Sequence, residues 1–234
     1  MKRWFHMDFM GFTGDDFEFF KRKNDLAKAE YNDKREQMKK HFREFCYQVQ
    51  KSYHTSTGKV LTLEKDFKGL NKMKSSISAN CDIESSGIFN LKIDFYRDNI
   101  GIYIECPKGR DYDGIKKLED ILTNKKDTLT GFFKGNRNMI LMLLYSEFKK
   151  SNNNNGHEEM KLSNNELCFG NYDMLVKKIE ELLPPCYNKK STLNIKIGMQ
   201  YLKPDALKIG KALPSRACSE IIGLLDLCGA IAEN

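Results

Sequence analysis

No Cys-x-x-Cys pair occurs among the seven cysteines, Cys46, Cys81, Cys106, Cys168, Cys186, Cys218 and Cys228, whose number is odd and whose spacing is scattered. That pattern carries neither a zinc-site nor a disulfide-framework signature, and it predicts reduced, mostly buried thiols in a cytoplasmic protein. The four histidines, His6, His41, His54 and His157, are equally dispersed, with no partner at helical spacing. No metal site is therefore predicted, and His41 and His54 read as surface or capping residues. Apolar runs are short as well: the longest, Met139 to Tyr145, falls far below the roughly 20 residues a membrane helix needs. It predicts a core element and no membrane partner. The N-terminal Met1-Lys2-Arg3-Trp4-Phe5-His6 is basic, but no long apolar segment follows, which argues against a secretory signal.

The common nucleotide and hydrolase motifs are missing too. Thr57-Gly58-Lys59-Val60 approaches a phosphate loop, yet Tyr53 stands where the upstream glycine belongs and Val60 where a hydroxyl should follow the lysine. No Gly-x-Gly-x-x-Gly follows a strand and no Gly-x-Ser-x-Gly is present, so no cofactor is predicted. Cys106 before Pro107 has no histidine placed to activate it and reads as buried.

What the chain does have is length, a basic balance and periodicity. Its 234 residues, 40% hydrophobic and 30% charged, can bury a core without staples and predict a single α+β domain over 1–234. The formal charge of +7 is compatible with a polyanion partner but does not require one.

The clearest local signal lies between Gly87 and Gly109, where two alternating runs flank the turn residues Arg97-Asp98-Asn99. This predicts a hairpin over about 88–106. Leu91, Ile93 and Phe95, with Ile100, Ile102, Ile104 and Cys106, form the apolar stripes. Lys92, Asp94 and Tyr96, with Gly101, Tyr103 and Glu105, point to the opposite faces, and Tyr96 and Tyr103 are the best candidates for exposure.

Upstream, residues 13–54 read as helical, with Thr13 capping and Asp15 and Asp16 in a first turn. Met38, Phe42, Phe45, Val49 and Tyr53 mark one face of a longer helix, and Lys34, Arg35, Lys39, Lys40 and Arg43 the other. That basic face is either a solvated surface or a helix lying along phosphates. Val60 to Leu63 reads as extended, Ser75 to Asn80 is ambiguous, and Ile115, Leu118, Ile121 and Leu122 mark a helix. Gly131 to Asn138 reads as a basic loop carrying Lys134 and Arg137. The run Met139–Tyr145 fits a strand or a helix equally. Residues 151–157 predict a mobile Asn-rich loop. Leu175 to Leu183 predicts a helix stopped by Pro184-Pro185, Leu193 to Ile197 a strand, and Pro214-Ser215 the opening of a last apolar helix. The order predicts an α+β fold with a mixed or mainly antiparallel sheet built on the hairpin.

Two blocks resemble the DNA-binding N-terminal domain of McrB-type modification-dependent restriction proteins. One is Gly87-Ile88-Phe89, Phe95, Ile102-Tyr103-Ile104 and Gly109, similar to that family's glycine-led strand pair. The other runs from Tyr201 through Lys208 and Leu213-Pro214-Ser215 to Ile221, Ile222 and Leu225, similar to its closing helix. A fainter likeness joins Gly11-Phe12-Thr13-Gly14-Asp15-Asp16-Phe17 to bacterial YktB-like proteins of unknown function, without the Arg/His-rich motif expected there. The first resemblance implies a DNA-binding module of a restriction or antiviral defence system, with reading of a modified base turned out of the duplex as one form of recognition. Family members usually precede a GTP-hydrolysing motor domain, which this sequence does not contain. The expectation is a fragment, a protein that acts alone, or one served by a separate NTPase or nuclease subunit. On that reading Lys34, Arg35, Lys39, Lys40, Arg43, Lys134 and Arg137 hold phosphates, and Tyr96 and Tyr103 stack on bases.

Two other readings stand beside it. Asp94 and Glu105, with Lys108 beyond, offer the carboxylates and lysine of a metal-dependent nuclease, although Glu105-x-x-Lys108 is one residue longer than the usual Glu-x-Lys. Alternatively, the basic helix serves an acidic protein partner in an interaction module.

Overall fold

The computed structural model describes residues 8–63, 68–69, 76–83, 90–106, 123–124, 126–136, 138–147, 156–163, 173–174, 176–178, 180–181 and 191–232. The fold is α+β. The chain divides into two compact units, one of residues 1–84, 92–102 and 200–223, the other of 85–91, 103–199 and 224–234.

The first unit opens on helix α1 (Gly14–Arg22), whose start is fixed by a reciprocal capping box. The Thr13 backbone N–H donates to Asp16 Oδ2 at 2.7 Å, and the Asp16 N–H donates to Thr13 Oγ1 at 3.4 Å. Helix α2 (Lys28–Thr57) buries Tyr31, Met38, Phe42, Phe45, Cys46, Val49 and Tyr53 along the stripe that the three-and-four spacing predicts. It ends at Gly58, whose φ of +70° is the left-handed conformation glycine adopts without strain, so the Gly58-Lys59 step is a helix terminus rather than a phosphate loop. The Gln50 amide donates to the Leu61 carbonyl and ties α2 to the following strand.

Strands β1 (Leu61–Leu63) and β2 (Lys68–Gly69) both pair antiparallel with β3 (Ser76–Ile83), so residues 76–80 of the ambiguous stretch are strand, and Ser75 lies outside the described residues. The predicted hairpin is β4 (Asn90–Tyr96) and β5 (Asn99–Cys106). The hydrogen-bonded order in this unit is β1-β3-β4-β5, followed by the end of β8 (Ser191–Leu202). Phe95 lies 4.6 Å from both Phe12 and Phe17, ring centre to ring centre, and Phe12 lies 5.3 Å from Phe45, so an aromatic cluster joins β4 to α1, α2 and the segment before α1. Helix α4 (Lys203–Ile209), a short 3-10 turn (Gly210–Ala212) and helix α5 (Leu213–Ala232) follow β8. Gly11, at φ +106°, sits where a Cβ would come 3.2 Å from the Gly210 backbone, so the chain there accepts only glycine without a shift.

In the second unit the strand order is β5-β8-β6-β7, with β6 (Met139–Glu147) paired antiparallel to β7 (Gly156–Ser163) and β8. The consecutive residues Met139 to Leu143 are all buried, so β6 is covered on both faces, which explains why it is apolar without alternation. Helix α3 (Lys126–Gly135) replaces most of the loop expected over Gly131–Asn138. Phe133 is fully buried on it, and that packing outweighs two glycines that predict a loop. The expected Asn-rich loop is shortened, because Gly156 and His157 already pair with Glu147 and Ser146, while 151–155 lie outside the described residues. The helix expected around Ile115–Leu122 also lies outside them. At 173–181 the described residues are helical, as predicted.

Candidate nucleic-acid interface

A helix with one apolar stripe presents its other side to water, and the composition of that side in α2 changes along its length. Its first nine residues carry three cations, Lys28, Lys34 and Arg35, against three carboxylates, Glu30, Asp33 and Glu36. From Gln37 to Val60 there are five cations, Lys39, Lys40, Arg43, Lys51 and Lys59, against the single carboxylate Glu44. The five residues Lys40, Arg43, Tyr47, Lys51 and His54 are all exposed. At about 100° per residue they fall within an arc of roughly 80°, and they run for about 21 Å along the axis. Tyr47 is the centre of this stripe, 42% exposed, with Arg43 and Lys51 one turn to either side.

The cations predicted from sequence divide accordingly. Lys34 pairs with Glu30 at 3.1 Å, Lys39 with Glu36 at 3.0 Å, and Arg35 lies 3.9 Å from the same Glu36. The Lys39 ammonium holds the Glu36 carboxyl below its ordinary range. Lys40 extends into solvent at 68% exposure, 4.0 Å from Glu44, a carboxylate that is itself largely covered. Arg43 is exposed. Lys134 is exposed near the end of α3 in the second unit, and Arg137 lies outside the described residues. In the sequence the only signal for Tyr47, Lys51 and His54 is a helical period opposite the core stripe, which the denser lysines of the first half outweigh.

The hairpin candidates require correction. Tyr103 is 1% exposed, not a surface platform. Its ring lies under the Lys196 ammonium at 5.5 Å, and Lys196 is paired with Glu105 at 2.8 Å. The side of β5 opposite the apolar stripe is thus covered, which alternation within one hairpin cannot reveal. Tyr96 is half-buried and donates its hydroxyl to Asp94 Oδ2 at 2.9 Å. Asp94 is fully buried, with Lys92 at 3.8 Å. A buried carboxylate needs such partners to offset its lost hydration. Asp94 and Glu105 therefore each have their own cation, they fall in different units, and Lys108 lies outside the described residues. No group of three or more metal-ligating side chains occurs among the described residues.

His41 is neither loose nor merely capping its own helix. Its Nδ1 lies 2.9 Å from Asp16 Oδ1, so a residue of α2 completes the capped end of α1. Among the described residues no helix is long and apolar enough to cross a membrane. No protein-family model matches the chain, and no curated protein matches it either.

Proposed function

We propose that this chain is a nucleic-acid-binding module that docks the C-terminal two-thirds of α2 along a phosphate backbone. The observation that carries this is the exposed stripe Lys40, Arg43, Tyr47, Lys51 and His54, which opposes the buried face of a single long helix. A rigid helix holds its cations at fixed separations, and that suits the regular charge of a polyanion. The resemblance of the hairpin and the closing helix to McrB-type domains supports DNA as the target. It also supports a restriction or defence setting. Reading of a modified base rests on that resemblance alone, since Tyr103 is buried and the Tyr96 hydroxyl is engaged by Asp94.

Fluorescence anisotropy with a labelled duplex at roughly 50 mM and 200 mM salt tests the reading. Binding should weaken steeply with salt, the logarithmic slope reporting the number of phosphates engaged. Absence of binding to plain and modified duplex and to single strand, even at the lower salt, would end it.

A further inference from the structure

We infer that the α2 stripe takes an unpaired strand, with the ring of Tyr47 as the platform on which a base stacks. This deepens the proposed function and rests on it. In an aromatic-rich chain the rings of α2 are otherwise sequestered: Tyr31, Phe42, Phe45 and Tyr53 are all buried. Tyr47 alone of them stands on the solvent face, and it stands between two cations rather than at the helix end. Arg43 and Lys51 lie at i−4 and i+4, where a helix brings side chains onto the same face on either side of the ring. An aromatic face flanked by cations along one line is the arrangement that binds single strands: the cations follow the phosphates and the ring meets a base.

The choice of strand follows from what each form of nucleic acid offers. In a duplex the faces of the bases are hidden in the stack, so a tyrosine on the docking helix has only groove edges and sugars to touch. An unpaired base presents its face without the cost of breaking a base pair. A duplex would engage the cations and make little use of the ring. An acidic polypeptide would use the cations as well, again without a planar partner for Tyr47.

The test compares labelled oligo-dT, a duplex of equal length and polyglutamate as competitor, using wild type, Tyr47→Ala, Tyr47→Phe and Lys51→Ala. The expected result is that Tyr47→Ala weakens oligo-dT about tenfold and duplex less than twofold, that Tyr47→Phe binds like wild type, and that Lys51→Ala weakens both. Tight duplex binding with no effect of Tyr47→Ala on oligo-dT overturns the unpaired-strand inference and leaves the nucleic-acid reading standing. No binding to either oligonucleotide overturns both. Displacement of oligo-dT by polyglutamate at equal charge concentration also overturns the inference, in favour of an acidic protein partner.

Discussion

Asp16 Oδ1 and His41 Nδ1 meet at 2.9 Å across 25 residues of sequence, so one carboxylate serves two helices. Its other oxygen accepts from the Thr13 backbone N–H at 2.7 Å and from the Thr13 hydroxyl at 3.0 Å. Asp16 is almost fully buried, and its charge is spent on that cap and on the imidazole. Replacing it with alanine removes both at once. We expect Asp16→Ala to lower unfolding stability by roughly 2 kcal/mol, the sum of a lost cap and a lost partly buried pair. His41→Ala should cost less, because the capping box survives it. Urea denaturation of the two variants checks the order, and equal losses would show that the cap contributes nothing.

How far the sequence carried this picture depends on the range of the interaction that decides each element. The α1 cap, the buried face of α2 and the hairpin turn rest on residues within a few positions of one another, and each could be read directly. The strand at Met139–Glu147 could not, since an apolar run gains its identity only when β7 and β8 pair with its two edges. Burial of Tyr103 was hidden for the same reason: Lys196 lies far along the chain and covers the ring from another strand. The cationic stripe stood halfway between these cases. Its helical period was visible, but the pairing of Lys34 and Lys39 with neighbouring glutamates lowers the value of the densest lysine run. The exposure of Tyr47 needed the fold.

Glu220 provides a titration with a definite sign. Burial raises its carboxyl from 4.5 to about 7, and Arg216 Nε, at 3.4 Å, is its neighbour one turn back on α5. A group whose folded value exceeds its unfolded value holds its proton more tightly when folded. Its contribution to stability is fully present below about 4.5 and is lost as pH rises through about 7. The loss is on the order of 3 kcal/mol as an upper limit. Glu220→Gln should flatten the stability profile between pH 5 and pH 8 and raise the melting temperature most at the alkaline end. A profile that keeps its wild-type slope would assign the pH dependence to another group.

Lys196 and Glu105 form a nearly buried ion pair at 2.8 Å between β8 and β5. Such a pair contributes little net stability when intact, but removal of one member strands the other charge. Lys196→Ala should therefore be severe, about 3–5 kcal/mol, while the double replacement Lys196→Met with Glu105→Leu should recover most of that loss. Chemical denaturation of the single and double variants distinguishes this from simple loss of packing, in which the two costs would add.

Cys46 and Cys81 are both buried thiols outside any disulfide, and burial pushes the Cys46 thiol well above its usual range. The thiolate is the nucleophile that attacks thiol reagents; at Cys46 it is scarce, and both thiols are sheltered by burial. Native protein should leave these two positions unlabelled by iodoacetamide, as read by peptide mass spectrometry, while protein unfolded in urea should be labelled at both. Labelling of Cys46 in the native state would show that the α2 core opens under native conditions.

The division of charge along α2 leads to a contrast between variants that sequence alone would treat as equivalent. Lys34 is already compensated by Glu30 at 3.1 Å, and exposed pairs of this kind contribute little to stability. A phosphate arriving at Lys34 must compete with that carboxylate and approach two more, Asp33 and Glu36. Lys51 has no carboxylate within four residues on either side. Lys51→Ala should therefore weaken nucleic-acid binding severalfold and reduce the salt slope by about one, whereas Lys34→Ala should leave both nearly unchanged. Lys51 is exposed and Lys34 partly so, and neither belongs to the buried stripe, so neither change should disturb folding, and circular dichroism can confirm it. Equal losses from the two variants would mean that the whole helix docks and that its acidic first turns are no barrier. A larger loss from Lys34→Ala would move the interface to the opposite end of α2.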